Sequence, residues 1–298
     1  MSAWLKYALI TTLLWGVWGA FAGLPAEHGL PETLNYVVWS LTMIPPSFIV
    51  LRAGGGPLKR DARSVTLGLA VGLLGAGGQL LLFHAVRSGP AWLIFPIISL
   101  SPALTIVLSL VLLRERTGWL GVLGIVFAIA SLPLFDYRSD GEPTGYGAWF
   151  FMALAILAAW GIQAYFIKLA SRTMDAASIF FYMMLGGLLL VPVALAMTDF
   201  SQPINYGASG TGLAAVIQLL NAIGALTLVF ALRDGKAIIV SPLVNAGAPL
   251  LTSMIALALV GVVPAPLKIA GIVLALVAAL LLALQPESAA EVPAKGRA

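Results

Sequence analysis

Cysteine is absent from this chain of 298 residues. Disulfides, thiolate metal sites and cysteine nucleophiles are therefore excluded. Histidine is nearly absent, with His28 and His84 alone, so a histidine-rich metal cluster is excluded as well. Charge is scarce: Asp, Glu, Lys and Arg are 9% of residues, against about a quarter in a soluble domain. No Asp, Glu, Lys or Arg falls at the centre of any long apolar stretch. That disfavours a carboxylate-driven proton antiporter, a buried ion pair holding substrate, and an intramembrane acid catalyst.

What remains is apolar. Hydrophobic residues make up 60% of the chain. Ten stretches without Asp, Glu, Lys or Arg begin after Lys6, Glu32, Arg63, Arg87, Arg116, Glu142, Asp175, Asp199, Lys236 and Lys268. Each is long enough, or nearly so, to cross a hydrocarbon core of about 30 Å, which takes roughly 20 residues at ~1.5 Å rise. The expected fold is an all-α integral membrane protein of ten transmembrane helices. The first stretch is not a cleavable signal: its apolar run from Tyr7 to Ala26 exceeds a signal core and carries two bulky tryptophans, Trp15 and Trp18. Ten spans use nearly the whole chain and leave no soluble catalytic domain.

Basic residues set orientation. With the N-terminus inside, thirteen of the sixteen Lys and Arg fall on inner segments, and Arg87, Arg138 and Lys268 fall outside. Both termini are expected in the cytoplasm, in a bacterial inner (plasma) membrane. The net charge of +4 therefore marks span ends rather than a nucleic-acid partner.

The halves echo each other in order. Trp15-Gly16 matches Trp160-Gly161, 145 residues on; Arg87 matches Arg233 and Pro96 matches Pro242, both 146 on; Gly124 matches Gly271, 147 on. Five spans per repeat is an odd number, so the second repeat enters the membrane from the opposite side. Inverted repeats are typical of secondary transporters, with the site near the midplane between them. The expected organisation is a first repeat over 1–138, a second over 139–286, and a disordered cytoplasmic tail over 287–298.

These residues resemble the drug/metabolite transporter superfamily, specifically its EamA-type ten-helix members. The resemblance rests on the two Trp-Gly pairs, the run from Gly89 to Pro96 with its partner from Gly235 to Pro242, and Arg114-Glu115-Arg116 followed by Gly118, Gly121 and Gly124. It covers about residues 3 to 285. It implies ten helices, cytoplasmic termini and alternating-access movement of a small organic solute. It also implies a cavity lined by the first, third, fourth, sixth, eighth and ninth spans. One departure stands out. The family's second repeat often carries an acid matching Glu115; the corresponding stretch here, Ala258 to Pro266, has none, so a symmetric carboxylate pair is missing.

Depth along the spans picks out candidates. Trp15, Gln79, Ser101, Trp160, Asn221 and Asn245 lie eight to ten residues from an assigned span end, about 12–15 Å deep. With Ser99, Gln163, Gln218 and Ser241 they form the candidate substrate-binding set. Each also has a plainer reading. Gln79 continues a stripe of Gly68, Gly72 and Gly75 that suits close helix packing, and a lone Ser often bonds its own helix. Gln218 and Asn221 share one helix face, and two amides in hydrocarbon favour a cavity. Pro96, Pro102, Pro242 and Pro249 are candidate helix breaks that free backbone carbonyls. Trp18 reads as helix packing, Trp4, Trp39 and Trp92 as interface anchors, and Phe180 to Met184 as core. His84 is a proton-coupling candidate if it faces the cavity, since an ordinary imidazole titrates near 6.5; an interfacial position is the alternative. Arg114, Glu115 and Arg116 read as a structural salt bridge or a cytoplasmic gate.

The leading function is efflux of a small organic solute, metabolite, amino-acid-like or drug-like, with no metal, no cofactor and no enzymatic activity. Sugar or polar-solute uptake on the same fold is the alternative, and a scaffold or channel is the more distant class. The expected partners are the solute, the lipid bilayer and, if His84 faces the cavity, protons, for a monomer or homodimer.

Overall fold

The computed structural model describes residues 3–53, 57–112, 118–135, 147–234, 237–261 and 263–284. The expected tail and the triplet Arg114, Glu115 and Arg116 lie outside the described residues, as do the side chains of Ser241, Pro242 and Asn245. Among the described residues every regular element is helical and no strand occurs. The first half comprises α1 (Ala3–Phe21), α2 (Leu24–Glu27), α3 (Glu32–Thr42), α4 (Ile44–Ala53), α5 (Ala62–Ser88), α6 (Ala91–Ile98), α7 (Ser101–Leu112) and α8 (Trp119–Ser131). The second comprises α9 (Ala148–Ala170), α10 (Ala176–Leu189), α11 (Val191–Ala196), α12 (Leu213–Asp234), α13 (Ala237–Val260) and α14 (Pro266–Ala283).

Among the described residues seven helical stretches are long and apolar enough to cross a membrane, and three further apolar helical stretches accompany them, Trp119–Ser131, Gly247–Val260 within α13, and Pro266–Leu282. The protein is an integral membrane protein. Its helices expose large apolar side chains where a soluble protein would place charge. Leu13 on α1, Val126 and Ile129 on α8, and Val273 on α14 are each more than half exposed, as lipid contact requires.

Local chemistry fixes the ends of several helices. Asp61 caps α5 by accepting from the Ser64 backbone N–H at 3.0 Å. Asp175 caps α10 by accepting from the Ser178 N–H at 2.8 Å and its hydroxyl at 3.0 Å. Such caps are worth about 1 kcal/mol each. Between α6 and α7 the chain breaks at Ser99 and Leu100. Pro96 precedes that break, and Pro102, which has no N–H to give, sits in the first turn of α7. The repeat-related prolines act differently. Pro242 and Pro249 were expected as breaks, yet α13 runs unbroken from Ala237 to Val260. A proline forfeits one helical bond, and close packing of α13 along α1 holds the helix through it.

Packing pairs the two halves. Helix α1 lies along α12 and α13, while α9, its repeat counterpart, lies along α5 and α7. Helices α8 and α14 pack on each other. Individual contacts recur at the same spacing. A Cβ on Gly16 would strike Leu251, and one on Gly161 would strike Leu104, the two leucines being 147 apart. A Cβ on Gly124 would strike Leu282, and one on Gly271 would strike Leu134.

Helices α5 and α10 cross closest at Gly72 and Gly186, where a Cβ on either would overlap the backbone of the other helix. Small residues are what permit this approach. Gly72→Ala should therefore cost about 1–3 kcal/mol. On the same helix nothing lies within 4 Å of a Cβ on Gly77, so Gly77→Ala should be neutral or stabilising by up to about 1 kcal/mol. Thermal unfolding of the purified variants in detergent checks the pair, and equal shifts for both would contradict the crossing.

Candidate functional site

A cavity of about 670 Å³ opens between helices of the two halves. That is ample for a small organic molecule. Among the described residues no Asp, Glu, Lys, Arg or His lines it. Its walls are apolar and aromatic, with polar groups set at intervals.

Tryptophan builds the frame, and each indole is oriented by a bond to another helix. Trp15 on α1 donates Nε1–H to the Asn221 backbone carbonyl on α12 at 3.1 Å. Trp160 on α9 donates to the Gly75 carbonyl on α5 at 3.2 Å. The two acceptors, 75 and 221, are 146 residues apart, so this is one contact made twice. Glycine makes room for both rings: a Cβ on Gly224 would strike Trp15, and one on Gly78, again 146 earlier, would strike Trp160. A second recurrence locks the other side of these helices. Thr105 donates to the Gly161 carbonyl at 2.9 Å and Thr252 to the Gly16 carbonyl at 3.0 Å.

Most of the other polar side chains are also tied to neighbouring groups. Trp39 on α3 donates to Asn221 Oδ1 at 2.9 Å. Trp18 donates to Gln218 Oε1 at 2.9 Å. Gln218 in turn donates to Asn35 Oδ1 at 2.9 Å, and Asn35 donates to the Ala22 carbonyl at 3.2 Å. Gln163 donates to the Val71 carbonyl at 3.1 Å. Ser99 donates to the Pro96 carbonyl at 2.7 Å, closing the end of α6.

Of the residues expected at a binding site, Trp15, Gln79, Ser99, Ser101, Trp160, Gln163 and Asn221 line this cavity. Gln218 does not: it is fully buried behind Trp18. Pro102 and Pro249 also reach the wall. His84 is off the cavity, about half exposed at the end of α5, with Nδ1 2.8 Å from Glu32 Oε1. Arg87 pairs with the other oxygen of the same carboxylate.

Several lining residues escape sequence reasoning. Trp18 and Trp39 read as packing and anchoring, and Phe180 and Met183 as core, yet all four line the cavity. For Trp39 a signal existed. It lies seven residues beyond Glu32, about 10 Å deep, too deep for an interface anchor. Thr105 and Thr252 could have been found from their 147-residue offset. Phe180 and Met183 carry no polar mark, and apolar residues on a cavity wall look like any others.

Residues 2–135 and 147–284 each match the sequence model of the EamA-like transporter family. The chain belongs to that family. The double match divides this EamA-like protein at the same place as the recurring contacts. A segment of 128 residues is 27% identical to an uncharacterised protein of Methanocaldococcus jannaschii, MJ1333.1, and spans 43% of this EamA-like chain but 92% of that protein. One chain of known crystal structure superposes with a TM-score of 0.63 at 18% identity, covering 94% of this chain and 96% of its own; it shares the fold.

The buried chain from Trp18 through Gln218 to Asn35 predicts stability effects. Gln218→Leu leaves both the Trp18 indole N–H and the Asn35 amide oxygen without their partner. It should destabilise the protein by about 1–3 kcal/mol per orphaned group, read as a lowered Tm in detergent. A Gln218→Leu protein as stable as wild type would mean that the chain contributes nothing.

Proposed function

We propose that this EamA-like protein is a secondary transporter that moves a small organic solute across the membrane by alternating access, most naturally as an exporter. Its apolar helical stretches are read as ten spans in two inverted five-helix repeats, with both termini on the cytoplasmic side of a bacterial inner membrane. The observation that carries the reading is the cavity itself. It lies between the halves, and each half supplies the same indole-to-carbonyl contact to it, Trp15 to Asn221 and Trp160 to Gly75. Duplicated halves around a shared central site suit a carrier. A channel or scaffold has no use for it.

The uncharged walls favour a neutral or weakly charged solute, because an ion would lose its hydration with no opposite charge in return. The proline-bearing helices differ between halves, α6 and α7 broken and α13 continuous, although their prolines correspond. Under alternating access such a difference is expected of one state, with the halves exchanging shapes in the other.

A thermal-shift screen of the purified protein against amino acids, sugars, nucleosides and quaternary amines, followed by liposome flux of any hit, tests the reading. Trp15→Ala and Trp160→Ala should each lower flux at least tenfold while still inserting; wild-type flux in both would sink the cavity assignment. Sugars alone as hits would move the uptake permease ahead. His84 stands off the cavity beside Glu32, so in this reading it is an ion-pair partner at the end of its span and not a proton-coupling group. His84→Ala should leave the pH profile of flux unchanged, and a flattened profile would return coupling to His84.

A further inference from the structure

The cavity wall has one conspicuous flaw. Among the described residues four buried side-chain polar atoms lack a hydrogen-bond partner, and Gln79 Nε2 is the one that belongs to a cavity-lining residue. Gln79 is 5% exposed. A buried amide nitrogen without an acceptor is unfavourable, and such a group calls for a reason. Close helix packing does not supply one, since Gly75 and Gly78 on the same helix already provide the room and are filled by Gln163 and Trp160.

The aromatic donors and two of the other polar side chains around it are engaged. The indole N–H groups of Trp15, Trp18, Trp39 and Trp160 all bond to protein acceptors. Gln163 is tied to Val71, and Thr105 to Gly161. The indole faces are thus fixed as apolar contact surface, and their polar edges are turned to neighbouring helices. The repeat position of Gln79, 146 residues on, is Ala225, which also lines the cavity. The amide therefore stands on one wall only, as a recognition group does and a packing contact repeated in both halves does not. The terminal torsion of glutamine is soft, so the amide turns to a bound acceptor while α5 stays in place.

Resting on the transporter reading, we infer that the solute is an uncharged, mainly aromatic or apolar molecule bearing a hydrogen-bond-accepting oxygen, and that Gln79 is the specificity-determining residue that donates to that oxygen. The indoles hold the body and the amide selects the oxygen. A lipophilic cation is the competing occupant, since indole faces attract cations; among the described residues no carboxylate lines the cavity to offset the lost hydration of one.

Benzophenone and diphenylmethane differ by a single carbonyl and serve as probes, with tetraphenylphosphonium as the cationic comparison. Dissociation constants are measured by isothermal titration of the full-length protein in detergent, wild type against Gln79→Met. Comparing each probe between the two proteins cancels its partition into micelles. The expected result is a fivefold to tenfold weakening for benzophenone in Gln79→Met, the effect of one neutral hydrogen bond, with diphenylmethane unchanged. Without probe, Gln79→Met should unfold at the same temperature as wild type or higher, because it removes an unpartnered polar group.

Equal weakening of both probes, no change for benzophenone, or a lowered Tm without probe would each overturn the role of Gln79. Tighter binding of tetraphenylphosphonium than of benzophenone by the wild type would overturn the neutral-solute class. Diphenylmethane binding that Trp160→Ala abolishes reports on the cavity independently of Gln79, so these failures leave the transporter reading standing. Binding of none of the probes to wild type would remove the inference together with the cavity on which it rests.

Discussion

An indole N–H in hydrocarbon must find an acceptor, and here it finds one on a helix from the other half of the molecule. Trp15 reaches Asn221 and Trp160 reaches Gly75. These bonds cross between the halves, so they hold the two against each other without filling the space between them. Water cannot compete for the donors inside a bilayer. The threonine bonds to Gly161 and Gly16 tie the same two helices, α9 and α1, to further partners, α7 and α13. Glycines at 78 and 224 are required because the rings lie where a Cβ would be. The cavity is what remains once these constraints are met.

Departures from the repeat are as informative as the repeat. Asn221 faces Gly75 across the internal relation, Gln79 faces Ala225, and Gln163 faces Trp18. Matched backbones with unmatched side chains give a cavity whose two walls differ in chemistry while their geometry is shared. The prolines show the reverse: the residues match and the helices do not, with a break at Ser99 and Leu100 on one side and none in α13 on the other. Proline weakens a helix without dictating that it break. Neighbouring packing decides, and α13 has α1 along its length.

The candidate site was partly legible. Polar residues deep in apolar runs stand out because their burial has a cost, and Trp15, Gln79, Trp160, Gln163 and Asn221 were found that way. Gln218 was found by the same logic and belongs elsewhere, since a buried amide can serve Trp18 and Asn35 as well as a solute. His84 carries charge chemistry but ends beside Glu32 and Arg87, away from the cavity. Trp39, Phe180 and Met183 were not legible as lining residues, because an apolar side chain looks the same against a cavity as against a neighbouring helix.

The sequence by itself determined that this chain lives in a membrane, is helical and is built twice. Those properties follow from composition, from the spacing of charges and from residues repeating at a fixed interval, and each is local or additive along the chain. Only the tertiary structure decided which helix faces which, that the cavity's indole N–H groups are taken up by backbone and side-chain carbonyls of other helices, and that among the described residues one buried side-chain amide nitrogen is left over. Hydrogen-bond partnership between residues such as Trp15 and Asn221 depends on helix rotation and crossing. Those are set by packing across the whole bundle, and no stretch of sequence carries them alone.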